Sequence, residues 1–191
     1  MKTKEIARWA GVIEQEARQR VGVAVARDNQ KKSAVQAAVC TLWAKHFPKK
    51  GAVNAEGIFI SRHILVGGMA AAEKAEWPLE KALRPLCIGL LNATLSKQKN
   101  FIEAAEEITR AAIQAALLAD FDACKMTEEV VGAILKAGRD KKYKSGDLLK
   151  TISRSAVLAA RSAPQKKSDL LEPMLMDLLE GKIDLSVDEE E

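Results

Sequence analysis

From Ile6 to Ala159, apolar side chains recur three and four positions apart in successive runs, and short links rich in Pro, Gly, Asn or Lys separate the runs. That spacing lines one side of an α-helix, whereas a strand needs alternation with a period of two. Alanine is the commonest residue and aromatics make up only 4% of 191 residues, a balance that favours closely approaching helices over sheet. With 48% hydrophobic residues the chain can bury a proper core. The pattern predicts an all-α fold: a compact helical bundle of about seven helices with a mobile acidic C-terminal tail. Residues 1–181 are expected to form one helical domain, with a candidate sub-boundary near 48–54, and residues 182–191 the tail.

In the first helix, over residues 3–20, Ile6, Trp9, Ala10, Ile13 and Ala17 share a face. Val21 to Val25 alternates like a strand but has no partner strand, and is read as a continuation of the helix or an extended link. Asp28 or Ser33 opens the next helix, whose face of Val35, Val39, Leu42, Trp43 and His46 ends at Pro48. Residues 52–75 fit either a hairpin around Ser61-Arg62-His63 or a helix capped by Asn54; the helix is adopted, with Gly67-Gly68 weakening it or admitting a close neighbour. Pro78 starts the next helix and Pro85 should kink it. Asn100 and Glu103 resemble a capping box for a helix to Ala119.

The next two helices flank a basic turn. Thr127 is expected as the N-cap of the first, with Gly138 as its left-handed stop. Residues 139–147 form the turn, and Ser145 or Asp147 caps a helix running to Ser162 before Pro164. On that helix Leu148, Ile152, Ala156 and Ala159 share one face, while Lys150, Arg154 and Arg161 fall within about 40° of one another on the other. Ser168 can cap a last helix through Leu179, ending at Gly181.

A net charge of +4 conceals blocks. Residues 1–50 hold eleven Lys and Arg against four acids, residues 135–170 ten against three, and residues 171–191 one against eight. Two basic segments suit a polyanionic partner, and the acidic end could shield those segments when the partner is absent. The expected nucleic-acid contacts are Lys31, Lys32, Arg139, Lys141, Lys142, Lys144, Lys150, Arg154 and Arg161, with Tyr143 able to stack on a base. This expectation requires the two basic segments to meet on one surface.

No catalytic set stands out. His46 and His63 are the only histidines and neither has a metal-ligand spacing. Trp9, Trp43 and Trp77 read as core anchors, and the Glu pairs at 106–107 and 128–129 as solvated helix starts. Cys40, Cys87 and Cys124 are far apart and read as reduced thiols of a cytoplasmic protein. The longest uncharged run, residues 85–96, is too short to span a bilayer, so no membrane role is expected. The sequence thus predicts a non-catalytic binding or assembly subunit, with no cofactor or metal, that contacts nucleic acid through its phosphates without regard to sequence. The alternatives are a protein-interaction or homo-oligomeric scaffold, and a helical enzyme with an unrecognised site.

Overall fold

The computed structural model describes residues 3–26, 31–47, 54–96 and 100–162, together with Pro173, Met174 and Asp177. Among these, seven long α-helices follow one another: α1 (Thr3–Val25), α2 (Lys31–His46), α3 (Asn54–Lys74), α4 (Leu79–Leu95), α5 (Phe101–Ala119), α6 (Ala123–Asp140) and α7 (Ser145–Arg161). The segment 21–25 continues α1, and the uncertain region is helical from Asn54 to Lys74, as adopted. The expected last helix and the tail fall almost wholly outside the described residues.

Each helix packs most closely on the next but one, α1 on α3, α3 on α5 and α5 on α7, with α2 on α4 and α4 on α6. The odd helices therefore form one layer and the even helices another, which is the arrangement of αα-hairpins stacked side by side. Helices within a layer run parallel. Trp9 stacks on Phe59 and Glu14 bonds His63 along the α1–α3 seam, and Glu80 pairs with Lys125 and Arg84 with Glu129 along the α4–α6 seam. One core runs through the stack from Ile13 to Ile152.

Two glycines allow this closeness. A β-carbon on Gly67 would run into the Glu14 carbonyl and lie 2.8 Å from the Ala17 β-carbon, and one on Gly89 would lie 2.8 Å from the Gln36 carbonyl. The close approach expected of Gly67-Gly68 is thus found where α3 crosses α1. Trp43 is fully buried, and its indole donates to the Ser61 hydroxyl at 3.1 Å, tying α2 to α3. Trp9 and Trp77 are only partly buried beside the core. Helix α4 continues through the buried Pro85.

Some helix ends differ from expectation. Asn100 caps α5 as expected, accepting from the Glu103 amide at 2.9 Å. Helix α6, however, starts before Thr127. Asp122 accepts from the amides of Cys124 and Lys125, while Thr127 lies buried with its hydroxyl donating to the Ala123 carbonyl. An Asp is at least as good a cap as Thr, and the earlier start buries Met126 as well. Gly138 is not the left-handed stop either. The helix runs on to Asp140, and Gly138 instead leaves room for Leu148 and Phe101. The left-handed residue is Lys142 at φ 62°, with the Tyr143 amide donating to the Gly138 carbonyl and the Lys142 amide to that of Arg139. Helix α7 starts at Ser145, so Lys144 holds the cap position that Ser145 or Asp147 was expected to fill, and it provides no side-chain bond.

Candidate nucleic-acid interface

The turn between α6 and α7 is short because the Schellman closure at Lys142 reverses the chain within a few residues. Gly138 lets the start of α7 press against the end of α6, with Leu148 buried in the seam. The hydrophobic side of α7 is thereby fixed inward, and its opposite side must face solvent. Arg139 at the end of α6, Lys141, Lys142 and Lys144 in the turn, and Lys150 and Arg154 on the outer side of α7, are all exposed. Among the described residues, no ion pair joins any of these six to a carboxylate. Asp140 and Asp147 are exposed on the same elements and partly offset the charge. Arg161 extends the stripe but makes an interaction of its own.

Tyr143 also has a partner within the protein. Its ring stacks on Phe101 with centroids 4.8 Å apart, which anchors the turn to the start of α5 and leaves the residue 38% exposed. One face of the ring is therefore occupied by the protein itself.

Lys31 and Lys32 do not join this surface. They open α2, which packs on α1, α3 and α4, whereas α7 packs on α5 and α6. The two basic segments thus belong to opposite ends of the stack. Lys31 is half-buried and engaged, and Lys32 is exposed.

The structure also assembles a polar crossing that the sequence did not reveal. On one side of the odd layer, Glu14 of α1, Arg62 and His63 of α3 and Gln114 of α5 form a chain of hydrogen bonds. Arg62 Nη2 lies 3.0 Å from His63 Nε2, His63 Nδ1 lies 2.6 Å from Glu14 Oε1, and Arg62 Nη1 donates to Gln114 Oε1 at 3.4 Å. A guanidinium only donates, so His63 Nε2 accepts and its Nδ1–H donates to Glu14. The imidazole is held neutral. Burial lowers the His63 pKa below its ordinary 6.5; the bond to Glu14 opposes this shift and the Arg62 charge reinforces it. Burial also lowers the pKa of Arg62, whose guanidinium sits 5.3 Å from the centre of the Phe59 ring. Both ring nitrogens of His63 are thus engaged within the crossing.

His46 is likewise engaged. Its Nε2 lies 3.1 Å from Glu16, which also accepts from Lys45 at 2.6 Å. The Lys45 bond holds the Glu16 carboxyl below its ordinary pKa. Among the described residues, no three His, Cys, Asp or Glu side chains gather as a metal site would require. None of the described helices is long and apolar enough to cross a membrane.

Comparison with known protein families matches no family model, and comparison with curated proteins finds no match.

Proposed function

We propose that this protein is a non-catalytic nucleic-acid-binding subunit that grips phosphates with the α6–α7 face. One observation carries the reading. Six exposed cations gather around one turn and one helix side and pair with no acid among the described residues, whereas Lys45, Arg62, Arg84 and Lys125 each reach a partner on a neighbouring helix. Exposed, unpaired Lys and Arg at this density attract a phosphate backbone by releasing its counterions, without reading sequence. Free thiols at Cys40, Cys87 and Cys124 suit a reducing cytoplasmic setting, and burial pushes the Cys87 thiol up to about 12.

The test is filter binding of a mixed-sequence duplex and a single strand. About six phosphate contacts should lower affinity roughly a thousandfold between 50 and 200 mM salt. The pair Lys142→Glu and Arg154→Glu should weaken binding about a hundredfold at the lower salt and change folding stability by no more than about 0.5 kcal/mol. Salt-insensitive binding, no binding, or an unaffected double variant defeats the proposal.

A second reading, self-association or protein binding through the α1 end, rests on Ile6, Val12 and Val23, which are 39%, 42% and 60% exposed on the first helix of the stack. Light scattering of Val12→Lys with Val23→Lys checks it. A change in assembly state favours this reading; a monomer in both proteins removes it.

A further inference from the structure

Beside the main core lies a second apolar cluster, built from Ile113 of α5 and Ala156, Ala159 and Ala160 of α7. Leu117, Cys124 and Val157 pack against it, and so does Met174, which belongs to the chain beyond α7. The C-terminal stretch therefore has a foothold on the flank of α7. At about 100° per residue, Val157 points within about 20° of Lys150, and Ser153 and Ala160 lie on the same flank. Met174 thus sits on the α5–α7 cluster, whose Ala160 lies about 80° round the helix from Lys150.

Beyond Met174 the sequence holds Asp177, Glu180, Asp184, Asp188, Glu189, Glu190 and Glu191, with Lys182 as the only cation. Seventeen residues follow Met174, ending at Glu191, enough to reach roughly 56 Å when extended. The start of α7 is only about 22 Å along the helix from Ala160. Complementary charge and sufficient reach therefore coincide with an apolar foothold.

We infer that this acidic stretch is the in-chain occupant of the α6–α7 face: Met174 anchors it on the α5–α7 flank, and its carboxylates cover the cations and compete with phosphate for them. The docking rests on Met174 and the charge pattern, whereas its role as a competitor rests on the nucleic-acid reading above.

Carbodiimide coupling of the full chain, mapped by mass spectrometry, tests the docking directly. Carboxylates of residues 184–191 should couple to Lys142, Lys144 or Lys150, and Met174→Asp should abolish these links. Coupling confined to Lys31 and Lys32, no coupling, or coupling only between isotopically distinct chains overturns the docking. Competition is read from binding of the same single strand by Glu189→Gln/Glu190→Gln/Glu191→Gln, with Glu73→Gln/Glu76→Gln/Glu128→Gln as a control of equal charge. The first should bind about tenfold tighter at 50 mM salt than the control. Equal affinities overturn competition but leave the nucleic-acid reading standing. Mapped links with no binding by any variant leave the docking standing and remove the nucleic-acid reading, and competition with it.

Discussion

The crossing of α1, α3 and α5 and the turn from α6 to α7 draw on the same side chains for opposite ends. In the crossing, Arg62 is half-buried, its two terminal nitrogens bond Gln114 and His63, and its guanidinium lies over the Phe59 ring. At the turn, Arg139 at the end of α6 and Lys141, Lys142 and Lys144 after it are exposed and pair with no acid among the described residues. A cation held in the low dielectric between helices must be satisfied there, since an unpaired charge in that position costs several kcal/mol. A cation on the outer side of a terminal helix has no such requirement and remains available to a partner. Position in the stack, more than residue type, separates structural charge from binding charge.

The comparison breaks most readily at the α1–α3 seam. Gly67→Leu drives a side chain into the Glu14 backbone and should cost about 3 kcal/mol in urea denaturation, while leaving the α6–α7 face intact. A near-neutral result would mean that the two helices are not held as close as described. Next in size is Arg62→Met, which leaves His63 Nε2 and Gln114 short of a donor. It should destabilise by about 1 to 2 kcal/mol with oligonucleotide affinity unchanged, and a loss of affinity at full stability would assign Arg62 to binding instead.

Acidification separates the regions further. The folded pKa of His63 lies below the ordinary 6.5, so the unfolded chain takes up its proton first as pH falls. Stability from this residue is complete well above 6.5 and declines as pH drops through 6.5 toward the folded value. Denaturation curves should therefore show a shallower loss over that window in His63→Asn than in the wild type. Glu16 contributes in a lower window: its folded pKa lies below 4.5, and its share is lost as pH falls from 4.5 through that value. The smallest expected effect is that of Lys31→Ala with Lys32→Ala, which should change oligonucleotide affinity less than about twofold because α2 lies away from the interface. A tenfold loss would show that both ends of the stack engage one partner.

The local features were legible in the sequence. Asn100 and Glu103 mark the start of α5 because a cap and its amide lie three positions apart, and the basic turn is a contiguous run. Even locally, competition misleads: Asp122 and Thr127 both suit a helix start, and tertiary burial of Met126 and Thr127 accompanies the earlier one. The polar crossing was not legible. His63 meets Glu14 across 49 positions and Arg62 meets Gln114 across 52, pairings that exist only once odd helices lie parallel. The same stacking separates Lys31 and Lys32 from the α7 stripe, which charge counting alone placed together.

Lys142 closes α6 in a backbone conformation that glycine adopts freely and an L-residue with a side chain adopts at a cost of about 1 to 2 kcal/mol. The ammonium group therefore occupies a site where the main chain alone would favour having no side chain at all. Replacing it with glycine would relax the hinge and remove one charge from the face, so thermal robustness and grip would move in opposite directions from a single codon.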